Sequence, residues 1–539
     1  MSSAKQYPNS RIVQTSDGKI QGHRLIYEGD RQVDAFQGIP FAAPPIGELR
    51  FKKPQPPARW SGVREAKAFS SRPIQLSKFK DDFKINGVPS EDCLYLNVFT
   101  PCWNPLSVGF PVMFFIPGGK FEHGEAKSYG DTNICENIVS RGIVFVTIQY
   151  RVGYLGFFTT GDNVCPGNLG LWDQTVSLRW VQSNIGAFAG DPNNVTVVGQ
   201  SAGGASADFL HLSPHSTGLF HKIICMAGNA ECRWTSNEVM PIHCRNKARL
   251  LGVHSYNSDE IISQLRRVPA DKFSVNYKED LKEEEVDLET VPYIDGDFFP
   301  ASFDELRAKA RPKPMMTGVT KEEGSLMRLF HFESDHSNSL AVLFYENEWA
   351  YANRTIYRAL SRHIDRLEEG SDEFARAMAN LASDYYFNAG TLELCRKTVQ
   401  IQKEPVYLYT LEHFNPEVLG IFLKFLIVPD VTHTCDLFYL FARATFADFF
   451  PEITNTERLV IDRFTTALTN FATYGDPNGA FGESSLPTRW EPVSRSNYSR
   501  NYVFTTETCA MRETFFEGRT AKFMRIINEN RSNSYRSSL

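Results

Sequence analysis

Apolar residues along this chain fall into two patterns. The first is a set of short unbroken runs: "FPVMFFIPGG" at 110–119, "GIVFVTIQYR" at 142–151, "NVTVVG" at 194–199, "HKIICMAG" at 221–228, "MMTGVT" at 315–320 and "EPVYLYTL" at 404–411. Each closes in a glycine or a turn, which predicts strands buried on both faces. The second pattern is helical: Leu171, Val176, Leu178, Val181, Ile185 and Phe188 recur at steps of roughly three and four. "ERLVIDRFTTALTNFATYG" repeats that spacing and stops at Gly475, a residue type that closes helices. Strands alternating with helices predict an α/β architecture, a large, mostly parallel central sheet with helices on both faces. Its chemistry should collect at the carboxyl ends of the strands. Mixed-charge, amphipathic segments at about 240–310 and 340–395 interrupt the alternation and are expected to be helical cap insertions.

One strand breaks abruptly. In "VTVVGQSAGGASADFLHL" the residues Gly199-Gln200-Ser201-Ala202-Gly203 fit G-x-S-x-G between a strand and a helix. A serine on so sharp a turn has neighbouring backbone close by, and glycines two positions before and after remove side chains that would clash. The following helix points its free N–H groups at any developing negative charge. Ser201 is therefore the candidate nucleophile, and serine needs a base to take its proton. In this arrangement the chain order is serine, acid, histidine. Five histidines follow a suitable acid: His331, His336, His363, His413 and His433. His433, in the loop "PDVTHTCD", could reach back over the sheet; His413, ending "VYLYTLEHF", is its rival and could equally be structural. For the acid, "TGVTKEEGS" ends a strand with Glu322 and Glu323 side by side. Pattern alone does not choose between these two, or separate them from a solvated turn.

Composition narrows the class. The 539 residues are 42% hydrophobic and 22% charged, as in soluble globular proteins. No linker, low-complexity tract or repeat divides the chain, so residues 1–530 are expected to be one domain, with 531–539 a polar, disordered tail. Lys plus Arg (57) against Asp plus Glu (63) gives a net charge of −6 with the basic residues scattered, which excludes a nucleic-acid surface. The N-terminus is polar, and no apolar run reaches the ~20 residues of a membrane span. "GIFLKFLIVPDV" at 420–431 comes closest but contains Lys424 and Pro429. The last three residues match a peroxisomal address only weakly, since Ser538 stands where a basic residue is expected. The ten cysteines form no CxxC pair and no metal-ligand cluster, so free thiols and a cytoplasmic protein are expected. The N-x-S/T matches at Asn194 and Asn353 are then chance.

Longer segments carry a resemblance. "FQGIPFAAPPIGELRFKKPQPPARW", "SEDCLYLNVFTP" and "NLGLWDQTVSLRWVQSNIGAFAGDPNNVTVVGQSAGG" resemble signature blocks of the carboxylesterase/cholinesterase family of α/β-hydrolases, and the likeness runs nearly end to end. "VTKEEGS" is similar to the segment that supplies the family's acid, which falls on Glu323, and "VTHTCDLFYLF" to its histidine segment, which falls on His433. The resemblance implies the α/β-hydrolase fold and a serine carboxylesterase with a Ser201, Glu323, His433 triad and an acyl-enzyme intermediate. It further implies oxyanion-hole donors at Gly119, Lys120 and Ala202, a small-molecule ester as substrate, and no metal or organic cofactor.

Several positions depart from the family. Its oxyanion segment has a His- or Tyr-led run of three glycines before Phe, whereas this chain reads "PGGKF", with Pro117 leading and Lys120 in the third glycine position. The lysine keeps its backbone N–H, but its Cβ restricts the backbone. Its ammonium could favour acidic substrates or simply point away. The alternative function is accordingly a catalytically weakened or inactive binding or scaffold protein of the same family. The family's first disulfide would need a cysteine before Cys93, and there is none; its second would fall near "LGVHSYNSDEIISQLRR", which has none. Gln200 stands where many members have Glu, and the nearest aromatic to the choline-binding Trp position is Phe83, so acetylcholine is not the expected substrate. The oligomeric state is not indicated.

Overall fold

A computed structural model describes residues 7–75, 88–105, 107–274, 290–330, 366–368, 370–419, 423–424, 426–441, 453–480 and 485–537. The six apolar runs become β6 (Phe110–Ile116), β7 (Val144–Ile148), β8 (Gly190–Gln200), β9 (Lys222–Met226), β10 (Met315–Thr320) and β11 (Val406–Leu411). They lie side by side, in the order β7-β6-β8-β9-β10-β11, and every pairing among them is parallel. Alternate residues go to opposite faces, as the strand period requires. Val112, Phe114 and Ile116 of β6 join one core with Leu171, Leu178 and Val181 of the helix Leu169–Asn184. Met113 and Phe115 join the other with Phe464, Leu468 and Phe471 of the helix Asn455–Tyr474, which ends at Gly475 with φ 75°. Both helices stand where the spacing predicts them.

The sheet extends further than the apolar runs. On one side β1 (Asn9–Gln14), β2 (Lys19–Ile26), β3 (Val33–Pro40) and β5 (Tyr95–Pro101) add antiparallel strands, with β4 (Val63–Glu65) beside β2. On the other, β12 (Asn501–Phe504) runs parallel to β11 and β13 (Ala510–Arg512) antiparallel to β12, giving thirteen strands among the described residues. Polar residues conceal these strands in the sequence. Within β5, for example, Asn97 is buried because its Nδ2 donates to Thr147 Oγ1 at 2.9 Å. The expected tail also differs: a helix, Arg519–Ser537, takes in most of 531–539. Phe523 and Ile527 bury one side of that helix, and once it is anchored, further turns propagate without a new nucleation cost. Of the expected insertions, the first contains the helices Met240–Leu250, Ser258–Leu265 and Phe303–Lys309. About half of the second lies outside the described residues; its described part holds Asp372–Ser383 and the start of Ala389–Ile401.

Strand order reverses at β6, which has β7 on one side and β8 on the other. Crevices at such switch points, beyond the carboxyl ends of the strands, are where α/β sheets hold their ligands. Arg151, three residues past the end of β7, and Asp173 fasten that segment to the helix Leu169–Asn184. Arg151 Nε and Nη2 donate to the two Asp173 oxygens at 2.8 and 2.7 Å, and both side chains are buried. Removing one partner of a buried ion pair strands the other charge, so Asp173→Ala is expected to cost about 3–5 kcal/mol. Urea unfolding checks this, and a loss below about 1 kcal/mol would put the pair in the class of exposed bridges.

Candidate active site

Strand β8 ends at Gln200, and Ser201 takes φ 57° and ψ −126°, backbone angles that L residues hold only when surrounding structure enforces them. Its N–H donates to Met226 O of the neighbouring β9 at 2.8 Å, and its carbonyl accepts Ala205 N–H at 2.9 Å in the first turn of the helix Ala202–Leu212. Strand, hinge and helix therefore appear where G-x-S-x-G places them. A Cβ on Gly199 would lie 2.1 Å from Gly203 O, and one on Gly203 would lie 2.1 Å from Ile116 O. Neither position admits a side chain.

The acid and the histidine come from loops after β10 and β11. His433 Nδ1 stands 2.5 Å from Glu323 Oε2, with both side chains buried. A carboxylate there accepts the Nδ1 proton, which leaves Nε2 as the free nitrogen. The other carboxyl oxygen, Oε1, accepts Thr320 N–H at 2.6 Å. The two segments are sewn together: Glu322 N–H donates to Val431 O, Leu326 N–H to Thr432 Oγ1, and Ile427 N–H to Ser325 O, at 2.9, 3.0 and 2.9 Å. The Gln200 amide nitrogen lies 3.5 Å from His433 Nε2, on the side where the nucleophile strand ends. His413 goes elsewhere, 3.2 Å from Glu457 Oε1. Its pairing with Glu457 is a buried structural contact. His331, His336 and His363 lie outside the described residues, as does Phe83.

Three acids crowd this corner, and their surroundings separate them. Glu323 reaches His433. Asp436, three residues beyond the histidine, is wholly buried, and burial joined by the Glu323 charge lifts its carboxyl well above the usual range. Glu322 faces away, its Oε1 3.9 Å from Arg376. Burial, then Asp430, raise it to about 7 against the opposing pull of Arg519, Lys321 and Arg376.

The strip after β6 passes directly beside the serine. A Cβ placed on Gly118 would stand 3.2 Å from Ser201 Cβ. The strip then turns tightly, with Glu122 and His123 N–H both donating to Gly119 O at 3.0 and 2.9 Å. Lys120 and Phe121 make this turn at φ 58° and 62°, two successive side-chain-bearing residues in the left-handed region. Burial and the Lys120 charge lower His123 to about 4, so the Lys120 ammonium is felt on the His123 side of the strip. Rings continue from here: Phe121 lies 5.3 Å from Phe157 and 6.3 Å from Trp234, Trp234 6.0 Å from Phe387, and Phe387 4.5 Å from the His433 ring. Sequence reading missed Trp234 and Phe387, which belong to no local pattern. It also missed Thr434, whose φ of 76° follows the histidine directly. A β-branched residue at that angle is detectable only from the backbone.

A model of the carboxylesterase family matches residues 9–523. The chain belongs to the carboxylesterase family. It is 35% identical over 531 residues to Esterase cest-33 of Caenorhabditis elegans, spanning 95% of this chain and 93% of the relative. It is 33% identical over 429 residues to Esterase FE4 of Myzus persicae, covering 74% and 73%. Human bile salt-activated lipase is 31% identical over 509 residues, covering 90% of this chain and 65% of the lipase. The sheet and its helices are the α/β-hydrolase fold of that family, and membership makes the chain a serine hydrolase of carboxylic esters in class. All ten cysteines are unpaired, which agrees with the missing family disulfides. No helix among the described residues is long and apolar enough to cross a membrane.

The raised Glu322 has a consequence for stability. Between 4.5 and about 7 the folded chain holds a proton that the unfolded chain releases, so its contribution to stability falls as pH rises through that window. Glu322→Gln removes this penalty. The substitution is expected to leave Tm unchanged at pH 5 and raise it at pH 8, by a free energy on the order of 3 kcal/mol. Equal destabilisation at both pH values in thermal melts would contradict it.

Proposed function

We propose that the protein is a carboxylesterase working through Ser201, His433 and Glu323, with backbone N–H groups of Gly119, Lys120 and Ala202 as its oxyanion hole. The observation that carries this reading is the buried 2.5 Å contact between His433 Nδ1 and Glu323, opening beside a serine in a strained hinge. His433 Nε2 takes the Ser201 proton as Oγ attacks the ester carbonyl. Glu323 keeps the imidazole in the tautomer that makes this possible and stabilises the imidazolium that results. The oxyanion is held by N–H groups already fixed in place, the kind of stabilisation worth about 10²–10³ in rate per donor. The alcohol leaves with the proton from His433. Water then attacks the acyl-enzyme, gives its proton to His433, and releases the acid as Ser201 recovers its own.

The surroundings bear on the substrate. Phe121, in the strip beside Ser201, packs against the rings of Phe157 and Trp234, and the residue before the nucleophile is the neutral Gln200. Uncharged or mildly acidic esters fit these surroundings better than cationic ones. Ten unpaired thiols are what a reducing compartment maintains, and the cytoplasm is the setting we assign. The left-handed Lys120 favours a second reading, a weakened enzyme retained as a binding protein.

Hydrolysis of 4-nitrophenyl butyrate decides between the two. Ser201→Ala is expected to lower kcat by about 10³-fold or more, and a fluorophosphonate probe should label the wild-type protein at Ser201. Equal turnover by both proteins, with no labelling, would leave the binding reading. Lys120→Gly tests the strip separately. Relief of about 1–2 kcal/mol of left-handed strain, partly offset by glycine's extra freedom when unfolded, should raise Tm slightly while kcat holds or rises. A fall in kcat would mean that the lysine side chain itself takes part in binding.

A further inference from the structure

The helix Asp372–Ser383 does not stop at its last residue but continues into Ala389–Ile401 through a single π-turn, Asp384–Asn388. Such turns insert one residue into the ladder, disturb the usual hydrogen bonds and redirect the side chains they carry. This one is buried throughout and held from several directions. Trp234 Nε1 donates to Tyr386 O at 2.9 Å, and Cys232 Sγ lies 3.8 Å from Phe387 O. Asp384 receives Arg519 Nε at 2.9 Å and the Thr520 hydroxyl at 2.7 Å. The bulge therefore has one register, fixed by the turn at 232–235 and by the C-terminal helix.

The same helix touches the histidine of the acid–base pair and the residue that follows its acid. Just before the bulge, Ser383 Oγ accepts the N–H of Gly324, the residue after Glu323, at 2.9 Å. Within it, the Phe387 ring lies over His433 at 4.5 Å between centroids and 30° between planes. These two contacts have different effects. Glu323 holds the imidazole at Nδ1 and the Gln200 amide nitrogen stands 3.5 Å from Nε2; contacts at its edge alone still let the ring swing. A flat ring against its face removes the swing.

We propose that Phe387 is a positioning residue for His433, aimed by the π-turn so that Nε2 stays in line with Ser201 and the departing alcohol. This rests on the Ser201–His433–Glu323 reading given above. The competing role for Phe387 is that of a wall of the acyl site, which would govern binding rather than turnover. The two roles separate in the kinetics.

Phe387→Leu keeps an apolar side chain but loses the flat face, whereas Phe387→Tyr keeps the face. The Leu variant is expected to lose about ten- to a hundredfold in kcat, the scale of a misplaced catalytic group, with KM changed by less than about twofold. The Tyr variant should recover kcat to within a few-fold of wild type. In protein labelled with ¹³C at histidine Cε1, the His433 resonance should show the upfield displacement of a ring-stacked imidazole in wild type and Phe387→Tyr. In Phe387→Leu that displacement should be lost and the signal broadened. A raised KM with unchanged kcat would overturn the proposal in favour of the wall. An unaltered His433 resonance in Phe387→Leu would overturn it outright. Failure of the triad reading shows differently, as absence of fluorophosphonate labelling at Ser201 in the wild-type protein, and the resonance still reports whether Phe387 holds the ring. Thermal melts of both variants separate a folding defect from a positioning one.

Discussion

The backbone at Ser201 is held at angles that cost a free chain about 1–3 kcal/mol, and the surrounding sheet leaves it no alternative. Its N–H is taken by Met226 O of β9, its carbonyl by the first turn of the following helix, and Gly199 and Gly203 are pressed against backbone carbonyls. The strip after β6 approaches within side-chain contact on the other side. A hinge closed in this way cannot relax when charge develops on a bound ester. Fixed dipoles that need no reorganisation are the property on which oxyanion stabilisation depends. The parallel neighbours β6 and β9 and the helix that follows all meet at this one peptide.

Near the hinge, three carboxyls have different surroundings. Glu323 is engaged at both oxygens, by His433 and by Thr320 N–H. Asp436 has no such set of donors, and burial together with the Glu323 charge keeps its proton on. Glu322 lies between, raised but facing the cations Arg376 and Lys321. Environments that push neighbouring acids apart are a mark of sites where one carboxylate has a task. Here Glu323 alone of the three contacts the imidazole, so the histidine has one orientation to choose.

What the sequence disclosed follows from what kind of signal each feature leaves. Buried parallel strands appear as continuous apolar runs, so β6 to β11 were legible, and so were the nucleophile hinge and the helices on each side. The antiparallel strands β1, β2, β3 and β5 carry polar residues whose partners are cross-strand, as Asn97 with Thr147, and no local pattern reveals them. Glu323 and His433 could be chosen over Glu322 and His413 only through family resemblance, because their meeting is made by two loops 110 residues apart. Lys120 was visible as an oddity, yet its left-handed backbone was not. Thr434 and the π-turn at Asp384–Asn388 left no trace at all, since each is a matter of backbone geometry imposed by packing.

Those hidden features share a location. Lys120 and Phe121 lie in the strip that faces the serine, Ser201 is the hinge, and Thr434 adjoins the histidine; all four hold positive φ without being glycine. Other described residues share this conformation, Phe51, Asn168, Ala189, Phe516 and Glu517 among them, so positive φ alone does not mark the site; what distinguishes these four is the set of tertiary contacts around them. The contacts are identifiable: Gly119 O binding two N–H groups, the cross-stitching of 322–326 to 427–432, and the Ser383–Gly324 bond. The first closes the strip on itself, the others join a loop to another loop or to a helix, and none belongs to the sheet. The geometry of the candidate site is thus set by a layer of loop-to-loop bonds above the strands. That layer is where chains of this fold can differ in chemistry while keeping the same core.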